Sequence, residues 1–162
     1  MVTIRCTKKL LARLGPPAGE PTAAPTTRLG DWYAKPLAIG HQRLILLISE
    51  RSRLPLLLWA RDAKRFPSAF PDALARVLWG LGIEAAAINR ELAALDEIVV
   101  AATNDRSLLG TLNDFAHMLQ WQLPDRADLD LTAAALALSH TPVQVSRKGF
   151  FPDRVTRELL AS

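Results

Sequence analysis

The amino-acid sequence predicts an α+β domain in which three to five helices pack on a mainly antiparallel sheet of about four to five strands. Strand-like apolar runs are concentrated in the first 60 residues, and helical patterns dominate from residue 71 onward. Separating strands from helices along the chain in this way is typical of the α+β class. A length of 162 residues with 49% apolar residues fits a single domain over residues 1–162 with one core.

The first elements are a short strand and a short helix. Val2 and Ile4 alternate with polar neighbours, which predicts a strand over 2–5. Thr7 as an N-cap and Gly15 as a stop signal delimit a helix. Residues 16–27 are rich in Pro, Ala, Gly and Thr without apolar periodicity, so a flexible surface loop is predicted there.

Three apolar runs, over 32–39, 43–49 and 54–60, predict a β-meander. A Gly-His pair at 40–41 supplies the first turn. The second and third runs lack alternation between apolar and polar residues, which indicates strands covered on both faces.

The rest of the chain is mostly helical in pattern. Pro71 at a first-turn position and Gly82 at the C-terminus delimit one amphipathic helix. The other predicted elements are a helix over 84–95, a buried strand over 98–102, a helix from about Asn104, an alanine-rich helix over 128–139 and a last short helix after Pro152. Asn104 or Asp105 can cap the first turn of the helix that begins near Asn104.

Charge is distributed unevenly along the chain. Residues 1–66 hold twelve Lys and Arg against four acids, a net charge of +8, whereas residues 67–146 hold four Arg against ten acids, a net charge of −6. The whole chain carries only +4. Either the two segments neutralise each other across the fold, or a basic face is left exposed for a partner.

Several classes of function are excluded by what the sequence lacks. Cationic residues interrupt every early apolar run, and no apolar stretch approaches the roughly 20 residues needed to cross a bilayer, so a cytoplasmic protein without membrane contact is expected. A single Cys6 excludes a disulfide scaffold and a multi-cysteine zinc site. The three histidines lack metal-ligand spacing, and no phosphate loop or dinucleotide fingerprint occurs, so no metal and no cofactor is predicted.

One face of the helix that follows Asn104 carries polar residues. Arg106, Gly110 and Asn113 lie along one side of it, and Asp114 is adjacent. A glycine inside a helix costs about 1 kcal/mol relative to alanine, so it calls for a compensating reason. Either Gly110 opens a slot where an anionic ligand meets Arg106, Asn113 and the free amides of the helix start, or it lets a strand approach closely.

A second candidate lies where the loop meets the first strand of the meander. Arg28, Asp31 and Trp32 combine a cation, an acid and a large aromatic ring, a composition suited to binding a carboxylate or a phosphate. The structural alternative is a junction fastened by an Arg-Asp pair and a buried Trp.

Several segments carry a resemblance to a known family. The segments Arg-Cys-Thr-Lys-Lys-Leu at 5–10, Thr-Arg-Leu-Gly-Asp-Trp-Tyr-Ala at 27–34, Ser-Glu-Arg at 49–51 and Asn-Asp-Arg-Ser-Leu-Leu-Gly-Thr-Leu-Asn-Asp-Phe at 104–115 resemble a family of small bacterial proteins of unknown function. The resemblance spans residue 3 to about residue 160. It implies a single bacterial cytosolic domain, and it directs attention to Arg28, Asp31, Arg106, Asn113 and Asp114.

Two functional hypotheses follow. The first is a non-enzymatic interaction or regulatory domain, such as an antitoxin-like accessory factor, whose basic N-terminal half binds an acidic protein or nucleic acid; homo-oligomerisation stays open. The second is an enzyme or small-ligand binder for a phosphorylated or nucleotide-like substrate, with Arg28 and Arg106 holding the anion and Asp31 or Asp114 acting as a base. The second hypothesis predicts that Arg28, Arg106, Asn113 and Asp114 meet in one cleft.

Overall fold

The computed structural model describes residues 1–15, 17, 19–21, 23–145 and 147–161. These residues form seven β-strands, six α-helices and one 3-10 segment. The strands are β1 (Val2–Cys6), β2 (Trp32–Ile39), β3 (Gln42–Ser49), β4 (Pro55–Trp59), β5 (Ile98–Ala102), β6 (Val143–Val145) and β7 (Lys148–Phe150). The helices are α1 (Lys8–Leu14), α2 (Phe66–Gly80), α3 (Ala85–Ala93), α4 (Arg106–Gln122), α5 (Leu131–Ser139) and α6 (Pro152–Leu160), and the 3-10 segment is Ala60–Arg65.

Strands β1 to β5 form one mixed sheet with the order β4-β3-β2-β1-β5. The meander β2-β3-β4 is antiparallel, as the sequence predicts. Strand β1 pairs in parallel with both β2 and β5, so the expectation of a mainly antiparallel sheet is wrong. A parallel pair needs a long crossover connection, and α1 with the loop that follows it supplies one between β1 and β2.

Both faces of the sheet are covered by apolar packing. One face packs against α1, α2, α3 and α6, around the fully buried Trp32 and Phe70. The other face packs against α4 through Leu112 and Phe115. Because both faces of the sheet are covered, the apolar runs of β3 and β4 do not alternate with polar residues. The predicted α+β class is confirmed, with six α-helices among the described residues instead of three to five.

Helix α2 begins earlier than predicted. It starts at Phe66, so Pro71 lies inside the helix and Pro67 occupies the first turn. Phe66 and Phe70 stack with ring centroids 5.6 Å apart, and Phe70 meets Trp32 edge to face at 5.3 Å. Burial of these rings favours the extra N-terminal turn.

The end of α2 is as predicted. Gly82 has a φ of 78°, and its N–H donates to the carbonyl of Trp79 while the N–H of Ile83 donates to that of Leu78. These two bonds form the Schellman motif, in which a glycine in the left-handed region ends the helix.

Aspartate side chains cap the N-termini of two further helices. The side chain of Asp105 accepts a hydrogen bond from the N–H of Leu108 and caps α4, and Asp130 caps α5 in the same way. The short hairpin of β6 and β7 has no counterpart in the sequence-based assignment. No helix among the described residues is long and apolar enough to cross a membrane.

Candidate functional site

The segments that carry the family resemblance meet at one end of the sheet. They come from the end of β1, the start of β2, the loop between β3 and β4, and the N-terminus of α4. The residues that interact there form a polar cluster, which consists of Arg5, Asp31, Tyr33, Glu50, Arg53, Asn104 and Asp105.

Asp31 lies at the entry to β2 and is nearly buried. Its carboxylate accepts a hydrogen bond from the N–H of Thr3 at 2.9 Å, and its own N–H donates to the carboxylate of Glu50 at 3.1 Å. Burial raises the pKa of Asp31, and the charge of Glu50 raises it further, against the opposing effect of Thr3. Asp31 therefore links β1 to the loop after β3.

A glycine is required just before Asp31. Gly30 has a φ of 77°, in the left-handed region that favours glycine. A Cβ at this position would lie 2.7 Å from a carboxylate oxygen of Glu50 and 3.0 Å from the side chain of Arg51. Close packing of the β3–β4 loop against this junction explains the glycine of the Leu-Gly-Asp-Trp segment.

Arg5 is held by one partner at the end of β5 and one in the loop after α1. Its guanidinium donates to the carbonyl of Ala102 at 3.0 Å and to the carboxylate of Glu20 at 2.6 Å. The bond to Glu20 raises the pKa of Arg5. Of the loop predicted over 16–27, residues 16, 18 and 22 lie outside the described residues, while Glu20 is joined to β1 by this ion pair and Thr26 bonds to the terminal amine of Met1.

Tyr33 faces α4 from the neighbouring strand. It is 2% exposed, and its hydroxyl donates to the side-chain oxygen of Asn104. Burial raises the pKa of Tyr33, so the phenol is neutral at pH 7. Asn104, predicted as an alternative cap of α4, instead connects the strand to the turn before that helix.

Arg53 is the most unusual member of the cluster. It is only 6% exposed, and it is the one non-glycine residue with a positive φ, 61°, among the described residues. Its Nη2 donates to the hydroxyl of Ser107 at 3.2 Å, whereas its Nη1 is buried and has no hydrogen-bond partner in the described part of the chain. Burial lowers the pKa of Arg53, while the charges of Asp105 and Glu50 oppose that effect.

The side chains of Arg28 and Trp32 contact residues outside this cluster. The backbone N–H of Arg28 donates to the buried carboxylate of Glu91 at 2.7 Å, and its guanidinium donates to the carbonyl of Leu159 at 3.3 Å. Trp32 is completely buried in the core against Phe70, which agrees with the structural alternative for this aromatic residue.

The polar stripe of α4 is exposed, but its members face different neighbours. Gly110 and Asp114 line a groove of about 370 Å³ that also contacts Ser107 and residues 142–144. Asn113 lies outside that groove, and its side-chain oxygen accepts a hydrogen bond from Lys35 at 2.9 Å. Arg106 is exposed in the first turn.

Close packing does not explain Gly110. A Cβ built there would have no atom within 4 Å apart from the helix itself, so no strand approaches it. The strand-approach interpretation is therefore wrong, and the position is open towards the groove.

The predicted cleft is divided between separate places in the fold. Arg28 lines a small cavity with Glu91 and Leu160, whereas Asp114 lines the groove beside α4. Among the described residues, Arg28 and Asp114 thus do not line a common cleft.

Cys6 is a structural thiol. It is 1% exposed at the end of β1, and burial raises its pKa to about 12. A protonated, inaccessible thiol is not a nucleophile at neutral pH.

A separate group of exposed cations lies on α1 and the 3-10 segment. We call it the basic surface; it consists of Lys8, Lys9, Arg13, Arg61 and Lys64. The residues come from α1 and the 3-10 segment, which are in contact. None of the five forms an ion pair in the described part of the chain, whereas Arg5 and Arg65 pair with Glu20 and Asp62, acids of the same basic segment.

Reasoning from the sequence missed Arg53. An arginine in a predicted loop is normally an exposed surface residue, and only the buried position and the positive φ of Arg53 distinguish it from such a residue. Tyr33 belongs to a segment that carries the family resemblance, and the structure adds its hydrogen bond to Asn104.

Comparison with known proteins gives a family without an assigned activity. No curated protein and no solved structure shows significant similarity to the chain. The model of one family, described as a domain of unknown function (DUF6933), matches residues 3–155. The match covers the strands of the main sheet except for Val2, together with the polar cluster and the basic surface. The chain therefore belongs to this DUF6933 family.

Proposed function

We propose that the protein is a non-enzymatic interaction domain that binds a polyanionic partner through the basic surface. The observation that carries the proposal is the set of five exposed cations that form no ion pair among the described residues. Neutralisation of the basic segment by the acidic one is the alternative interpretation, and it predicts ion pairs for these cations.

The charge of this surface is nearly of one sign. Helix α1 holds three cations and no acid, and the 3-10 segment holds three cations and one acid, Asp62, which pairs with Arg65 at 2.9 Å. Lys35 lies close enough to this surface to feel its charge: burial lowers the pKa of Lys35, and the nearby Lys9 lowers it further. A concentration of like charge attracts polyanions over about a Debye length, 8 to 10 Å.

Nucleic acid is the favoured class of partner. Binding phosphates requires exposed Lys and Arg, which this surface has, whereas protein interfaces depend on an apolar or aromatic centre. The large exposed hydrophobic residues, Trp79 and Trp121, lie on α2 and α4 and not on the basic surface. The exposed Arg61 lies over the ring of the half-buried Trp59, with 4.7 Å between the guanidinium carbon and the ring centroid, and a guanidinium plane can also stack on a base.

The test is fluorescence anisotropy with a labelled 20-mer duplex DNA and a single-stranded RNA of the same length, over a series of salt concentrations. The variant Lys8→Ala/Lys9→Ala/Lys64→Ala removes three cations of the basic surface. The matched control Arg43→Ala/Arg147→Ala/Lys148→Ala removes three exposed cations elsewhere. We expect the first variant to lower the slope of log K against log salt by about 2 to 3 on duplex DNA, because each lost phosphate contact contributes about 0.9.

Equal loss of affinity in both variants would mean that net charge alone drives binding and would contradict the assignment of this surface. Absence of binding to both nucleic acids at low salt would contradict nucleic acid as the partner class. Salt-sensitive capture of an acidic protein, lost in the first variant only, would then identify the other class. The narrower antitoxin-like role stays a prediction. Its test is whether a toxin gene lies beside the gene for this protein and whether co-expression of the protein restores the growth of cells that express that toxin.

A further inference from the structure

A buried guanidinium lies beside the N-terminus of the longest helix. Arg53 is 6% exposed, and its backbone is held in the left-handed region at φ 61°. Strained backbone of this kind persists only where the surroundings enforce it, and it is concentrated at binding sites. The loop between β3 and β4 thus keeps this side chain in a fixed position.

The guanidinium of Arg53 has fewer hydrogen-bond acceptors than a buried arginine requires. Among the described residues, its recorded hydrogen bond is the one from Nη2 to the hydroxyl of Ser107, and no carboxylate forms an ion pair with it. Its Nη1 is shielded from solvent and has no acceptor. The charges of Asp105 and Glu50 act on the guanidinium without an ion-pair contact, so they leave the Nη1 donor without an acceptor. A buried donor without an acceptor is unfavourable, so an oxygen acceptor such as that of an anion is the group that this position calls for.

The first turn of α4 supplies further donors at the same place. The side chain of Asp105 accepts from the N–H of Leu108, whereas the N–H groups of Arg106 and Ser107 have no acceptor among the described residues. The N-terminus of a helix carries partial positive charge and binds phosphates and other anions through such amides. Ser107 joins the two features, because its hydroxyl accepts from Arg53 and its amide lies in the first turn.

The groove beside α4 reaches the first turn of this helix at Ser107. Its volume is about 370 Å³, and its wall also includes Gly110, Asp114 and residues 142–144. No side chain fills the space at Gly110. A group that enters the groove therefore reaches the first turn of the helix.

We infer that Arg53, the hydroxyl of Ser107 and the free amides of the first turn of α4 form a binding site for a phosphoryl group. A phosphoryl group presents three oxygens, which accept hydrogen bonds from a guanidinium, a hydroxyl and helix amides arranged around it. The site shares no residue with the basic surface, so the phosphoryl site and the proposed function are tested independently of each other. The negative charge of Asp105 repels the anion, so a variant without that charge should bind the anion more tightly than the wild type does.

The experiment is isothermal titration calorimetry in phosphate-free buffer, with inorganic phosphate and adenosine monophosphate as probes. We expect saturable binding to the wild type and at least about a tenfold loss in Arg53→Gly, since glycine accepts the positive φ but removes the guanidinium. Ser107→Ala should weaken binding. Asp105→Asn should tighten it several-fold, because asparagine also caps a helix while the repulsion disappears.

Arg43→Ala, which removes an exposed cation outside the site, should bind as the wild type does. Equal binding of the two probes would assign recognition to the phosphoryl group alone, and tighter binding of the nucleotide would show that the groove contacts the rest of the molecule. Absence of saturable binding up to about 20 mM of either probe overturns the inference. Should Arg53→Gly fail to fold, opposite shifts in Ser107→Ala and Asp105→Asn support the site, and unchanged affinity in both overturns it.

Discussion

Replacing Glu91 with alanine should destabilise the fold by about 3 kcal/mol. This carboxylate is 3% exposed and accepts hydrogen bonds from the N–H groups of Arg28, at 2.7 Å, and Leu29, at 3.1 Å. Hydrogen bonds to a charged group contribute about 1.5 to 3 kcal/mol each, so the gross loss is about 3 to 6 kcal/mol. Relief of the buried charge offsets part of that loss.

Urea denaturation measures this effect. With an m value of about 2 kcal/mol/M for a domain of this size, the midpoint of Glu91→Ala should fall by about 1.5 M. Glu91→Gln keeps one acceptor oxygen and should lose about half as much. Arg90→Ala, at the exposed neighbouring position on α3, should change the free energy of unfolding by no more than about 0.5 kcal/mol. A loss below about 1 kcal/mol in Glu91→Ala would refute the role of this carboxylate in holding the junction before β2.

The other predictions concern single positions. Gly110→Ala should raise the free energy of unfolding by about 1 kcal/mol, because the added Cβ meets open space within a helix, and an unchanged urea midpoint would contradict this. Gly82→Ala should lower it by about 1 kcal/mol, because alanine is strained at φ 78°. Burial raises the pKa of Glu91, so around that pKa the folded state binds more protons than the unfolded state. The free energy of unfolding should therefore fall as the pH rises from the ordinary pKa of Glu through the raised pKa. Urea midpoints of Glu91→Gln should lack this part of the pH dependence. Cys6 should resist iodoacetamide at pH 8 in the folded protein and react in urea, since its pKa is raised to about 12; rapid labelling without urea would disprove its burial.

Local patterns predicted most of the elements but not how the sheet is ordered. Caps and stop signals at Asp105 and Gly82 act within one turn of chain, so they are readable from the sequence. The parallel pairing of β1 depends on where a strand near residue 100 returns in space, and no local pattern records that position. The helix start at Phe66 was missed for a related reason, because stacking against Phe70 and Trp32 outweighs the usual meaning of Pro71.

The candidate site was predictable in part. The family resemblance marked the segments that meet in the polar cluster, and Asp31 lies in it as a member of one of them. The role of Arg53 could not be predicted from the sequence, because burial and a positive φ are properties of the folded loop and not of the residue type. Arg28 and Asp114 were grouped by chemistry alone, and the fold separates them into different clefts.

The position of β1 in the sheet has a consequence for the order of folding. Strand β1 is made early, yet it pairs with β5, and Val2 lies opposite Ile98. The meander of β2, β3 and β4 involves short loops and is expected to form first, since contacts between distant segments carry a higher closure entropy. During synthesis, β1 therefore keeps one edge unpaired until residue 102 has left the ribosome, and that edge is a point of vulnerability to aggregation in truncated chains.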